Sequence, residues 1–249
     1  MTAVPIKTLL KHLLAYAPAV RAALPPSSFY RPFSDCQVRG LDAIYNAAFG
    51  NLKRGVFVEV GAYDGQFVSN TCFLADLGWR GVYVEPIPQF AAACAKRHQR
   101  NPDVTVVNAA VGKAAGTTEL HLAGVLSTKN ENFYSAYRNI SWAKKLISHR
   151  KVTAPVVTLN DLLDEHKVPD GFELLVVDVE GGEPDVFAGF DLTRWKPKML
   201  IIELEDHHPD FMKIESIREP IAQLRRYILG AGYTEVYVDA INTIFRALP

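Results

Sequence analysis

The chain has 249 residues, 49% of them apolar and 22% charged. That length accommodates one full α/β domain with a large core and would cramp two, and no apolar run approaches the roughly 20 residues of a membrane span. Its 27 lysines and arginines balance 27 aspartates and glutamates, so no global field draws it onto nucleic acid. Cys36, Cys72 and Cys94 lack a C-x-x-C spacing, which argues against a disulfide framework or a thiolate metal site and fits a reducing, cytoplasmic setting.

Residues 1–32 read as a separate N-terminal segment. No acid precedes Asp35, while Lys7, Lys11, Arg21 and Arg31 are basic, and Ile6, Leu9, Leu10, Leu13 and Leu14 recur at helical spacing. This predicts an amphipathic helix with three competing uses. Packing its leucine stripe on protein, as a lid or homodimer helix, is preferred. Peripheral contact with an anionic membrane surface and service as an acid-poor organelle presequence are the others. Pro25-Pro26-Ser27-Ser28 reads as the linker into the main domain, residues 33–249.

Residues 56–60 (Val-Phe-Val-Glu-Val) are short, β-branched and nearly all apolar, as expected of a parallel strand buried on both faces. The run breaks at Gly61-Ala62-Tyr63-Asp64-Gly65, where glycine permits a sharp turn and close approach of a ligand. A helix over 69–77 and a second strand over 81–85 follow, and the strand carries Glu85 to its carboxyl end, where a carboxylate can accept both hydroxyls of a ribose. A nucleoside-bearing cofactor is the direct reading. The loop lacks the full G-x-G-x-x-G of a pyrophosphate site, which disfavours a nicotinamide-dependent oxidoreductase. Asp64 would repel pyrophosphate but suits a cationic ligand; its other reading is a helix N-cap.

Further along, helices are predicted over 89–99, 159–166 and 214–229, and strands over 104–108, 174–178 and 199–203. Tyr233–Val238 and residues 243–246 form two more strand-like runs joined too closely for a crossover helix, so that pair is antiparallel. Alternating strands and helices predict a parallel sheet wound on both faces. The connection between the third and fourth strands is far longer than a normal crossover. It predicts an insert at about 113–158 with strands over 117–122 and 152–157. Between these lie Phe133, Tyr134, Tyr137 and Trp142, interleaved with Lys129, Arg138, Lys144, Lys145 and Arg150. An amphipathic helix with aromatics in the core and a substrate-facing cap weigh equally here.

Residues 58–65, Ser69-Asn70-Thr71, Leu74, Gly78-Trp79-Arg80-Gly81, Glu85-Pro86, Asn108-Ala109-Ala110-Val111-Gly112, residues 177–183 and Ile201-Ile202-Glu203 resemble, in order, the FkbM-type S-adenosylmethionine-dependent methyltransferases. The resemblance spans about residues 55–203. It implies a class I methyltransferase fold, a Rossmann-like doubly wound sheet closed by an antiparallel hairpin, here with the extra N-terminal helical segment. In the donor pocket it implies, Gly61 and Gly65 admit the cofactor and Asp64 meets its charged end. Glu85 takes the ribose, and Asn108 and Ala109 line the adenine. Glu59, Ala62, Asn70, Pro86 and Asp178 complete the pocket.

The acceptor side falls to Asp178 and Glu180 at the fourth strand and to Glu203, His207 and His208 at the fifth, at the carboxyl edge where such sheets bind ligands. An aliphatic hydroxyl needs a base within reach. His207 or His208 is preferred for that role, with Asp178 and Glu180 as alternatives that need raised pKa values. Asp178, Glu180 and Glu203 could instead hold Mg²⁺; the resemblance implies no metal, and this reading is slightly disfavoured. Phe133, Tyr134, Tyr137, Trp142 and Glu203 are the expected substrate-binding residues. The expected activity is O-methylation of a sugar or glycan hydroxyl, in a glycolipid, polysaccharide or deoxysugar. The alternatives are a polyketide or other secondary-metabolite hydroxyl, the oxidoreductase, and a cofactor-binding protein without catalysis.

Overall fold

The computed structural model describes residues 36–50 and 54–248; the amphipathic helix expected over residues 1–32 lies outside them. The elements in chain order are α1 (Leu41–Phe49), β1 (Val56–Val60), α2 (Cys72–Asp76), β2 (Arg80–Val84), α3 (Pro88–His98), β3 (Val104–Val107), β4 (Ala110–Val111) and β5 (Gly116–His121). After them come α4 (Glu131–Asn139), β6 (Lys151–Val157), α5 (Leu159–Glu165), β7 (Leu174–Val177), α6 (Glu183–Ala188), α7 (Leu192–Trp195), β8 (Met199–Glu203), α8 (Glu215–Gly230), β9 (Tyr233–Val238) and β10 (Asn242–Ala247). Seven strands form the main sheet in the order β3-β2-β1-β7-β8-β10-β9. Its pairs are parallel except those of β10, which runs antiparallel to both β8 and β9.

Alternation along each strand builds the two cores. Val58, Val60, Val82, Val84, Leu175 and Val177 face the layer formed by α5, α6 and α8. Phe57, Tyr83, Leu174 and Val176 face the layer of α1, α2 and α3. Each large apolar side chain so buried contributes about 1.5–3 kcal/mol relative to exposure, which holds helices as short as α2 that propensity alone would not. The helix expected over 69–77 begins only at Cys72 because Ser69 Oγ accepts from the N–H groups of Thr71 (3.2 Å) and Cys72 (3.1 Å) and keeps the preceding residues in a turn.

The insert forms a second, three-stranded sheet, β4-β6-β5, and a third core in which α4 packs through Phe133 and Tyr137 on Phe211 and Ile217. The two insert strands match the expected ones within a residue; the two-residue β4 was not anticipated.

Strand register decides where chemistry sits. Val60 lies opposite Val84 and Val177, and Val177 lies opposite Ile202. The next residue of each strand, Gly61, Glu85, Asp178 and Glu203, therefore falls in one row along the carboxyl edge. Strand order reverses at β1, which opens a crevice at that row.

Candidate functional site

A cavity of about 780 Å³ opens over this row. On the β1–β2 side the backbone shapes it. Gly61 sits at φ +90°, and a Cβ there would lie 1.6 Å from the Asp178 carbonyl oxygen, so only glycine fits. Glu85 is buried at the wall, where its carboxylate accepts from Tyr63 N–H (2.9 Å) and Ile87 N–H (2.8 Å). Burial pushes its pKa up to about 7, against the lowering effect of those two hydrogen bonds. Each carboxylate oxygen keeps an acceptor site for a ligand hydroxyl. Ala62, Pro86 and Ala109 also line this part of the cavity.

Glu59 lines the wall as well, yet its carboxylate accepts from Ser69 Oγ (3.0 Å) and from Thr71 Oγ1 and braces the loop after β1. Burial raises its pKa to about 7. Four residues expected to touch the cofactor take other work. Asp64 is not on the cavity wall; it accepts from Gln66 N–H (3.0 Å) and Phe67 N–H (2.7 Å), closing a turn rather than capping a helix. A Cβ at Gly65 would lie 2.6 Å from Cys94 Sγ and 2.9 Å from His98 Nε2, so this glycine admits α3 instead of a ligand. Asn70 accepts from Val38 N–H (3.1 Å) and donates to Gln37 Oε1 (3.3 Å), fastening the segment before α1. Asn108 donates to the carbonyls of Glu85 (2.8 Å) and Pro86 (3.1 Å), so it fixes the wall and leaves Ala109 to line it.

On the β7–β8 side the wall is acidic. One carboxylate oxygen each from Asp178, Glu180 and Glu203 lie within 4.8 Å of one another. Gln37 Nε2 donates to Asp178 Oδ2 (3.1 Å) and Glu203 Oε1 (3.4 Å), and the Tyr137 hydroxyl donates to Glu180. Glu205 adds a fourth carboxyl group, buried like those of Glu180 and Glu203, whereas Asp178 is half-buried. Burial is the main cause raising the pKa of all four, with mutual repulsion adding at the three glutamates. Among the described residues none of the four forms an ion pair with lysine or arginine.

The sequence model of the Methyltransferase FkbM domain matches residues 59–235, which takes in both walls, the insert and α8. The chain belongs to the FkbM methyltransferase family. A search of curated protein sequences finds no match. Among solved structures, the O-methyltransferase from Bacillus cereus in complex with SAH is similar at 14% identity and TM-score 0.49, over 100% of this chain and 93% of that one. The O-methyltransferase TomG from Streptomyces achromogenes, involved in tomaymycin synthesis and complexed with SAM, is similar at 13% identity and TM-score 0.48, over 96% and 90%. The SAH-bound methyltransferase PaMTH1 from Podospora anserina is similar at 12% identity and TM-score 0.46, over 100% and 99%.

Within this FkbM domain the structure redistributes the remaining expected residues. Phe133, Tyr134 and Tyr137 are buried at 2%, 8% and 0% exposure, so they are core residues and not an acceptor platform. Phe133 lies across Gly181, where a Cβ would come 2.1 Å from its ring, and Tyr134 stacks on His121 at 3.7 Å. Trp142 does line the cavity, with its indole N–H donating to Asp210 (3.2 Å). His207 is 57% exposed at its side chain and off the cavity wall. His208 is on the wall, but its Nδ1 accepts from Asp210 N–H (3.2 Å). A neutral ring so bonded carries its proton on Nε2 and has no lone pair left for a substrate proton. Neither histidine therefore stands as a base in this arrangement, because the loop after β8 turns one outward and occupies the other.

Gln37, Glu205 and the Tyr137 hydroxyl were missed as site groups. Gln37 precedes α1 with no motif around it, and only tertiary packing brings it 141 residues along the chain to Asp178. Glu205 was readable as part of the acidic run after β8, but nothing local distinguished it from Asp206.

Proposed function

We propose that this FkbM-family protein uses S-adenosylmethionine to methylate an aliphatic hydroxyl of a sugar or glycan. The observation that carries the reading is the row Gly61, Glu85, Asp178 and Glu203. It sets a buried carboxylate at the end of β2 and a glycine-opened loop at the end of β1 beside a wall of carboxylates at the ends of β7 and β8, over one cavity. Glu85 would hold the ribose hydroxyls of the donor and the opening at Gly61 would admit the rest of it, and the donor would supply a methyl group on a positively charged sulfur. An acceptor hydroxyl docked on the acidic wall then donates its hydrogen bond to a carboxylate and is aligned for in-line attack. As the acceptor oxygen bonds to the methyl carbon, the carbon–sulfur pair leaves on sulfur, giving S-adenosylhomocysteine. The acceptor proton passes to the carboxylate wall.

Two features support a polyhydroxylated acceptor. The wall offers many acceptor oxygens and, among the described residues, no paired cation, which matches a ligand rich in O–H donors. Trp142 supplies a flat apolar face at the same cavity, the kind of surface on which a sugar ring packs. The test is calorimetry with S-adenosylhomocysteine and with NAD, followed by radiolabelled methyl transfer to a panel of polysaccharide, deoxysugar and polyketide acceptors. Binding of S-adenosylhomocysteine alone, with label in the glycans, supports the proposal. NAD binding, or label confined to polyketides, overturns it.

A further inference from the structure

The acidic wall is built for more than hydrogen bonding to an acceptor. Glu203 is 6% exposed, and its Oε2 is fully buried without a hydrogen-bond partner among the described residues; the same holds for Glu205 Oε2. A buried carboxylate oxygen left bare is costly, and the cost grows when other carboxylates stand beside it. The hydrogen bonds that do exist hold the group together from outside. Gln37 bonds Asp178 and Glu203, and Tyr137 bonds Glu180, while one oxygen of each of the three carboxylates lies within 4.8 Å of the other two. Carboxylates that ligate a metal are themselves fixed in this way.

We propose that Asp178, Glu180 and Glu203 form a binding site for one hard divalent cation of the Mg²⁺, Mn²⁺ or Ca²⁺ class, open to the cavity. Two oxygens on one ion are separated by at most twice the metal–oxygen distance, about 4.2 Å for Mg²⁺ and about 4.6–5.2 Å for Ca²⁺. The three oxygens lie within 4.8 Å of one another, close enough to converge on Ca²⁺ with little adjustment and on Mg²⁺ with a further contraction. Oxygen-only ligands exclude a site tuned for softer metals. Three protein ligands leave coordination positions toward the cavity for water or for acceptor hydroxyls. The catalytic use of the ion, holding an acceptor oxygen and making it more acidic, rests on the methyl-transfer reading; its binding does not.

The test uses the full chain, stripped with EDTA and titrated with Mn²⁺ alone, with free Mn²⁺ read by electron paramagnetic resonance. One Mn²⁺ per chain is expected, displaced by Mg²⁺ or Ca²⁺. The near-isosteric Asp178→Asn and Glu203→Gln should weaken it by at least about 100-fold, whereas Glu131→Gln, which removes one exposed carboxylate, should not. Terbium luminescence gives a readout on the unaltered protein, since Tyr137 touches Glu180 and should sensitise a bound lanthanide; Tyr137→Phe, which keeps the fold's ring, should dim it. Failure to bind Mn²⁺ at millimolar concentration, or equal affinity in Asp178→Asn and Glu203→Gln, overturns the proposal and leaves shared protons as the means of neutralisation. Calorimetry with S-adenosylhomocysteine on the same samples separates the two readings: donor binding without Mn²⁺ binding defeats the metal site alone, and the converse defeats the methyl-transfer reading alone.

Discussion

The two walls of the cavity treat carboxylates in opposite ways. On the β1–β2 wall, Glu59 and Glu85 are buried, yet every carboxylate oxygen has a donor from a neighbouring hydroxyl or backbone N–H. On the β7–β8 wall, Asp178, Glu180, Glu203 and Glu205 crowd together with fewer donors, and two of their oxygens have none among the described residues. The first wall is complete by itself and presents a fixed shape. The second leaves carboxyl groups crowded with raised pKa values and incomplete hydrogen bonding. A buried acid is thus a structural brace or a binding group according to whether its own fold supplies its hydrogen bonds.

The contrast can be broken most severely at the point where the walls meet. Gly61→Ala places a Cβ against the Asp178 backbone at a left-handed φ and should cost upwards of about 5 kcal/mol, seen as loss of folded protein or a collapse of the melting temperature. Melting close to that of the unaltered protein would show that the walls can part without cost.

The insert separates the two halves of the comparison again. Phe133→Ala removes a buried ring and should destabilise by about 3–5 kcal/mol with the donor affinity of the surviving folded protein unchanged. Trp142→Ala should change stability by no more than about 1 kcal/mol and raise the acceptor KM. A reversal of the two outcomes would return the acceptor platform to α4.

Glu85→Ala should lower affinity for S-adenosylhomocysteine by about 2–4 kcal/mol, measured calorimetrically. The structure adds a second consequence, because the Tyr63 and Ile87 N–H groups lose their acceptor. Stability should fall too, and Glu85→Gln, which keeps one acceptor oxygen, should recover part of it. An unchanged dissociation constant removes Glu85 from the site.

The smallest effect is a pH dependence on the braced wall. Glu59 has a folded pKa of about 7 against an ordinary value of 4.5, so between those values the folded protein holds a proton that the unfolded chain has released. Stability contributed by the protonated form is therefore present below about pH 4.5 and is lost as pH rises toward 7. Compared with Glu59→Gln in thermal melts without ligand, the unaltered protein should lose up to about 3 kcal/mol more over that range. A rise in stability over the same window would mean that the Ser69 and Thr71 hydrogen bonds outweigh desolvation.

Much of the fold was legible from local pattern. Residues 56–60 announced a buried strand by their β-branched run, and Glu85 announced a strand end by following another such run, because side-chain alternation and chain breaks are properties of neighbouring residues. The hairpin of β9 and β10 was legible for the same reason: a short connection leaves no room for a crossover. Gly61 and Gly65 looked alike in the sequence and proved different. One meets the Asp178 backbone and the other meets Cys94 and His98, and what lies opposite a glycine depends on partners far along the chain. Asp64 was open between ligand and cap, and the loop bonded it to its own backbone.

What the residues determined alone was the strands other than the short β4, the family they build and the positions at which acids reach the carboxyl edge, since each depends on spacing within about ten neighbours. Tertiary structure decided which acids face one another. Strand order puts β1 between β2 and β7, register aligns Asp178 with Glu203, and Gln37 arrives from before α1 to bond both. It also decided that Phe133 and Tyr137 close a core while Trp142 faces the cavity, because helical spacing tells which side chains share a face but not what that face is packed against.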